Sequence, residues 1–413
     1  MEGIPMNFNT CLLHETNAEQ YPDGATLVPV SQSNAFRYET IEDLERVFSH
    51  KKAGYAYTRI GNPTVAAFEQ KISRLEGGIG AVAMSSGMAA ISHTLLNLLT
   101  PGDEIIASGC LYGGTTGLLD DLEKLGIHTH YVPRPNAETI QAAVTGRTRC
   151  VFSEVIANPA LQVLDIRTAA RAAHAAGIPL IVDSTTATPF LCRPLSLGAD
   201  LVIHSASKYI SGSGNAISGV VVDGGTFSWD SIRFPALRGF EHAGRLAFLL
   251  RLRTDIHENL GGCLSPMNAY LGILGLETLG LRMERICENA ARLARALQKA
   301  GVNVNYPALD GNPEKSLCLD QFRGLGGGIL TFRAGSAERA RAVINRLRCA
   351  CIASNIGDVR TLVLLPSTTI FSKNTDRQRA DAGVFEDTVR VSVGIEDAED
   401  LIQDFLTALA HAH

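Results

Sequence analysis

Three groups of residues in this sequence have types and surroundings suited to joint chemistry. Lys208 follows the apolar run Leu201-Val202-Ile203-His204 and is flanked by the small hydroxylated residues Ser205 and Ser207. In such surroundings an ammonium group is partly stripped of water, and its neutral form becomes available as a nucleophile or Schiff-base former. A surface lysine has the same local pattern, so Lys208 alone decides nothing. Asp183 closes the run Leu180-Ile181-Val182, and a carboxylate at the end of a buried strand needs a cation or hydrogen-bond donors. The third group is Ser86-Gly87-Met88, which leads into an apolar helical stretch ending at Leu99. Backbone N–H groups at such a helix start can hold an anion, with the hydroxyls of Ser205 and Ser207 as further donors. A Ser-Gly pair there is also an ordinary helix cap.

Taken together, an amine for an aldehyde, a carboxylate for a protonated pyridine nitrogen and a cradle for a phosphate describe pyridoxal 5'-phosphate (PLP), whose ring needs a carboxylate partner to remain an electron sink. The competing partner for Asp183 is a structural arginine. Other nucleotide sites fare worse. The sequence contains no G-x-x-x-x-G-K-[ST], and Gly77-Gly78-Ile79-Gly80 does not follow a strand-like run, so neither a P-loop nor a dinucleotide fingerprint is supported. No metal is expected: His128 with His130, and His411 with His413, lack a cysteine or carboxylate that would complete a ligand set.

The elements that must position these residues alternate in type. Glu104–Ala107, Cys150–Val155, Leu180–Asp183, Leu201–His204 and Gly219–Val222 read as buried strands. Ile166 to Ala176 is Ala-rich with helical spacing and stops at Gly177. Strand, helix and strand in succession predict an α/β fold with a mostly parallel sheet. Ligands then sit beyond the carboxyl ends of the strands, where Glu154, Asp183 and Lys208 fall. After Gly262 the pattern changes to a long helical stretch, Pro266 to Gln298, interrupted around Gly275 and Gly280. Strand-like Gly328–Phe332, Thr361–Leu365 and Val389–Val393 follow, with helical Ala337 to Leu347 between the first two, giving a smaller α+β domain. The expected division is an arm without clear periodicity at residues 1–55, a large domain at 56–260 and a C-terminal domain at 261–413.

Composition bounds the partners. With 413 residues, 46% hydrophobic and a formal net charge of -5, the chain carries no basic stripe for nucleic acid. The longest apolar stretch, Ala81 to Leu99, is broken by Ser85, Ser86, His93 and Asn97, so no membrane span is expected. The first ten residues do not read as a signal peptide, and the nine cysteines contain no Cys-x-x-Cys. A cytoplasmic protein with reduced thiols is the expectation.

The ordered motifs resemble, from about Gly24 to Ala408, the Cys/Met-metabolism family of fold-type I (aspartate-aminotransferase-like) PLP enzymes, which includes cystathionine γ-synthase, cystathionine γ-lyase, methionine γ-lyase and O-acetylhomoserine sulfhydrylase. Tyr57-Thr58-Arg59-Ile60-Gly61-Asn62-Pro63-Thr64 matches the family motif whose Tyr and Arg reach the PLP phosphate of the neighbouring subunit. That role falls to Tyr57 and Arg59. Ser86 to Ala90 and Leu111 to Thr115 match two further motifs, and Tyr112 then stacks on the ring and assists proton transfer. Glu154 to Pro159 places Asn158 beside the phenolic oxygen. Asp183-Ser184-Thr185 places Asp183 on the ring nitrogen with Thr185 among the cofactor residues. Ser205-Ala206-Ser207-Lys208-Tyr209 makes Lys208 the covalent anchor. Val389 to Glu396 matches the segment whose arginine binds the substrate α-carboxylate. Here Val389, Val391 and Val393 share one strand face and Arg390 points to the other. Asn355 lies where the sulfhydrylase branch commonly has Asn and the lyases have Ser.

Val221 to Phe227 and Leu264 to Tyr270 look most like O-acetylhomoserine sulfhydrylases, which replace a γ-acyloxy group with sulfide or a thiol, giving homocysteine or a thioether amino acid. The alternatives are a γ-lyase, which releases a 2-oxo acid and ammonia, and a specialised homologue acting on an unusual γ-substituted amino acid. Gly212-Ser213-Gly214-Asn215, Gly239-Phe240-Glu241-His242 and Thr369-Ile370-Phe371 depart from family elements that carry or adjoin a histidine. The resemblance also implies a homotetramer, a dimer of dimers with active sites shared between subunits.

Overall fold

The structure, a computed structural model, describes residues 6–14, 24–49 and 51–412. Its larger sheet has seven strands: β1 (Gly80–Met84), β2 (Glu104–Ser108), β3 (His128–Val132), β4 (Thr148–Glu154), β5 (Leu180–Asp183), β6 (Leu201–His204) and β7 (Gly219–Asp223). Their order is β1-β7-β6-β5-β4-β2-β3, and only β7 runs against its neighbours. Near-continuous Val/Ile/Leu runs are what strands buried on both faces require. One face packs Val182, Val202 and Val220 against Phe68, Ile72 and Leu75 of the helix Pro63–Glu76. The other packs Ile181, Ile203 and Val221 against Ile91, Leu95 and Leu98 of the helix Gly87–Leu98.

A second, five-stranded sheet consists of β8 (Asn303–Asn305), β9 (Ile329–Arg333), β10 (Cys351–Ile352), β11 (Leu362–Leu364) and β12 (Thr388–Ser392), in the order β10-β11-β12-β9-β8. Val389, Val391 and Val393 turn into a core shared with Leu293 and Phe405 of the helices Leu279–Lys299 and Ala398–His411. Residues on the opposite face of β12, Arg390 among them, are left to look toward the larger sheet. This is the α/β architecture expected from the sequence, a mostly parallel sheet followed by a smaller sheet nearer the C-terminus.

The helical stretch after Gly262 divides into Pro266–Glu277 and Leu279–Lys299, with Thr278 between them where the interruption was expected. Four short strands, β1, β3, β8 and β10, had not been anticipated. Residues before 56 are also more regular than their sequence suggests: Phe8–His14 and Ile41–Phe48 are helical, and Leu12 is fully buried in the core of its own chain. Among the described residues no helix is long and apolar enough to cross a membrane.

Candidate active site

β4, β5 and β6 end side by side, and polar residues at or just beyond their ends, Glu154, Asp183, Ser205, Ser207 and Lys208, meet in a cavity of about 390 Å³. Glu154 and Asp183 are register partners across β4 and β5, so two carboxylates stand next to each other on one face. Glu154 accepts from the backbone N–H of Tyr112 at 2.5 Å and of Asn158 at 3.1 Å. Burial, then the neighbouring Asp183, pushes its carboxyl up to about 8. Asp183 accepts from the Thr185 N–H at 2.8 Å, and burial raises it as well.

The lysine stands opposite. Its Nζ donates to Asn355 Oδ1 at 2.6 Å, and burial, then the charge of Arg390, lowers its affinity for a proton. The turn that carries it is held by Arg282, a buried guanidinium that donates to Tyr209 O at 2.6 Å, Ile210 O at 3.2 Å and Gly275 O at 2.6 Å. Arg390, 3% exposed, donates to Asn355 O at 2.8 Å and Asn158 Oδ1 at 3.3 Å. Its Nε is buried with no partner, and burial brings the group down to about 10, still charged near neutrality.

The anion cradle is built by close approach. Ser86 caps the helix Gly87–Leu98, its Oγ accepting from Ala89 N at 3.1 Å, while the first-turn N–H groups of Gly87 and Met88, which have no acceptor within the helix, border the cavity. A Cβ on Gly87 would lie 2.6 Å from Ser205 Cβ, so only glycine lets the helix start meet the turn that leads to the lysine. Ser205 N donates to Thr185 Oγ1 at 2.7 Å. Ser207 borders the cavity, but its hydroxyl donates to Ser218 O at 3.0 Å, leaving Ser205 as the freer donor. Tyr112 is 41% exposed at the mouth.

The sequence-proposed Tyr112, Ser86, Gly87, Met88, Asn158, Asp183, Thr185, Ser205, Ser207, Lys208, Asn355 and Arg390 all border this cavity. Tyr57 and Arg59 do not. Arg59 lies over the Tyr57 ring, 5.7 Å from its centroid, and donates to Glu258 O. Glu154 had been read only as a strand end and a motif position; Arg282 had not been singled out at all. The three departing segments separate here: Gly214 and Ile370 border the cavity, whereas no residue of 239–242 does.

Two carboxyl groups, a lysine and an arginine thus share one cavity, and among the described residues none of the four is ion-paired. Asp183 and Glu154 accept from N–H groups, and Lys208 and Arg390 donate to asparagine oxygens. Buried ionisable groups left in this state call for a ligand that brings complementary charges and hydrogen-bonding groups of its own. A ligand with a protonated ring nitrogen, an anionic tail and an amine-reactive carbonyl, accompanied by a second carboxylate, satisfies Asp183, the helix start, Lys208 and Arg390 respectively.

The sequence profile of the Cys/Met metabolism PLP-dependent enzymes matches residues 9–410. The chain belongs to this family. It is 40% identical to the O-acetyl-L-homoserine sulfhydrylase of Corynebacterium glutamicum over 96% of its length and 95% of that protein's. It is 36% identical to the L-methionine gamma-lyase of Fusobacterium nucleatum subsp. polymorphum, over 92% of both. Among solved structures, a putative O-acetylhomoserine (thiol)-lyase from Campylobacter jejuni superposes with a TM-score of 0.93 at 30% identity, covering 98% of this chain and 100% of that one. That structure carries a pyridoxyl-lysine phosphate. This PLP-dependent enzyme is therefore one of γ-replacement or γ-elimination, and PLP is its cofactor.

Proposed function

We propose that the enzyme replaces the γ-acyloxy group of O-acetylhomoserine with sulfide or a thiol, forming homocysteine or a thioether amino acid. The observation that carries this reading is one cavity in which Asp183, Lys208 and Arg390, none of them ion-paired among the described residues, face the helix start at Ser86–Met88, a set suited to PLP and one amino-acid carboxylate. Lys208 is the residue that anchors the cofactor and moves protons; Asp183 holds the ring nitrogen. Ser86, Gly87, Met88, Ser205 and Ser207 hold the phosphate, supported by Thr185. Asn158 lies by the phenolic oxygen, and Tyr112 covers the ring and assists proton transfer. Arg390 takes the substrate α-carboxylate, with Asn355 between it and the lysine.

When bound, PLP supplies the electron sink for carbanions at Cα and Cβ. The protein's part is positional and protonic. Burial lowers the proton affinity of Lys208 and so favours the neutral amine that can accept a proton from carbon. Arg390 fixes the carboxylate and thereby the direction in which the side chain leaves. Tyr57 and Arg59, away from their own chain's cavity, are assigned to the phosphate of a neighbouring subunit in a homotetramer. A cytoplasmic location fits this metabolic role.

O-acetylhomoserine with sulfide should yield homocysteine and acetate. Release of 2-oxobutyrate at the same rate without sulfide would transfer the assignment to γ-elimination, the reading favoured by the likeness to a methionine γ-lyase.

A further inference from the structure

Arg282 is a buried cation that no acid meets. It is 8% exposed, and burial pulls it down to about 10, so it stays charged near neutrality. Among the described residues its four hydrogen bonds all go to uncharged oxygens. A cation without an anionic partner is costly in such a place. What it meets is a set of carbonyls left over at two chain ends. Gly275 O lies in the last turn of the helix Pro266–Glu277, where helix carbonyls run out of N–H partners. Tyr209 O and Ile210 O belong to the turn at 206–211, in which Gly212 N already donates to Lys208 O at 2.8 Å. The planar guanidinium serves all three, Nη1 donating to Tyr209 O and Nη2 to Ile210 O and Gly275 O. Its Nε donates to Thr278 Oγ1 at 3.1 Å. The two ends touch backbone to backbone, since a Cβ on Gly275 would lie 2.3 Å from Ile210 O. Tyr209 is wholly buried. Lys208 is thus followed by two residues whose carbonyls are fixed, and its freedom is confined to its own side chain.

We propose that Arg282 is a positioning residue for Lys208, fixing the backbone from which Nζ reaches both the aldehyde carbon of PLP and the substrate's Cα–H. The inference rests on the reading of Lys208 as anchor and proton carrier. Arg282 does not border the cavity, so its effect passes through the backbone of residues 209 and 210. Proton transfer from carbon tolerates little misplacement: an error of about 1 Å can cost about a hundredfold in rate. Arg282→Met leaves three carbonyls without their donor and frees the turn. Arg282→Lys keeps the charge, but a single ammonium on a flexible stem lacks the rigid fork that holds all three at once.

The test follows three quantities in wild type, Arg282→Met and Arg282→Lys. These are the rate at which PLP attaches to the apoenzyme, read from cofactor absorbance; kcat and KM for O-acetylhomoserine per PLP-loaded site; and the isotope effect with substrate deuterated at Cα. In Arg282→Met, PLP should attach about tenfold or more slowly, and kcat should fall by about a hundredfold with KM held within about twofold. The isotope effect should grow, because removal of Cα–H becomes the slow step. Arg282→Lys should fall between. A role in stability alone lowers the thermal midpoint and the number of loaded sites while leaving each loaded site as fast as in wild type. Per-site values at wild-type levels, or an isotope effect that does not grow, overturn the proposal. Should neither Arg282 variant fold, Thr278→Val decides, since it removes only the acceptor of Nε at an exposed position. Attachment slowed by about twofold or more then supports the proposal, and wild-type attachment overturns it. Lys208→Ala that still turned over substrate would instead overturn the anchor reading on which the proposal rests.

Discussion

Replacing Arg390 with methionine separates what the residue does for the substrate from what it does for the fold. The guanidinium is 3% exposed and donates only to asparagine oxygens, at 2.8 and 3.3 Å. Its buried charge is therefore met in full only when a carboxylate arrives. Truncating one partner of a buried charged pair costs about 2–5 kcal/mol, so kcat/KM for the amino acid should fall by about 30-fold to several thousand-fold. Stability should respond differently. Leaving Asn355 O without its donor costs about 1–3 kcal/mol, and removing an unpaired buried cation returns about 1–4 kcal/mol. The two nearly cancel, and the thermal midpoint should stay within a few degrees. The assay is steady-state turnover with varied O-acetylhomoserine at fixed thiol, repeated with its α-carboxamide, on which wild type and variant should converge. A loss below about tenfold, equivalent to about 1.4 kcal/mol, or an equal variant effect on acid and amide, would refute the assignment.

Other outcomes follow from separate features. Lys208→Ala and Arg59→Ala should each be inactive alone, yet mixed oligomers should recover activity in about a quarter of sites by chance pairing; no recovery on co-expression would place Arg59 outside the neighbour's site. Gly87→Ala puts a methyl where Ser205 Cβ lies 2.6 Å away and should weaken PLP binding by about tenfold or more, read from the cofactor absorbance titration. Burial raises Asp223 to about 7. Its proton is held more tightly in the folded chain, so this contribution to stability is complete below the ordinary carboxylate range and is lost as pH rises through about 7. Denaturation midpoints from about pH 5 to about pH 8 should therefore decline less steeply in Asp223→Asn, and parallel curves would rule this out.

The residues that could be read directly from the sequence are those at the ends of apolar runs. A buried strand fixes where its last residue emerges, so Asp183 and Lys208 had to surface together once their strands were recognised. Arg390 was legible through alternation, because three valines on one face leave the arginine to the other. Other features depend on proximity that no local pattern encodes. The raised carboxyl of Glu154 comes from lying beside Asp183 across two strands. Arg282 is 73 positions from the Tyr209 carbonyl it holds. β3 escaped notice because its residues are mostly exposed and so carry no continuous apolar run. The helix Phe8–His14 is too short for periodicity to identify.

Arg390 and Asn355 come from the five-stranded sheet and the loop beside it, whereas Asp183, Lys208 and the Ser86–Met88 turn belong to the seven-stranded one. Choice of amino acid and retention of the coenzyme are thus written in separate stretches of polypeptide. Variation confined to residues 354–390 can re-aim the catalyst toward new side chains without loosening its hold on the prosthetic group, a modularity that directed evolution can exploit.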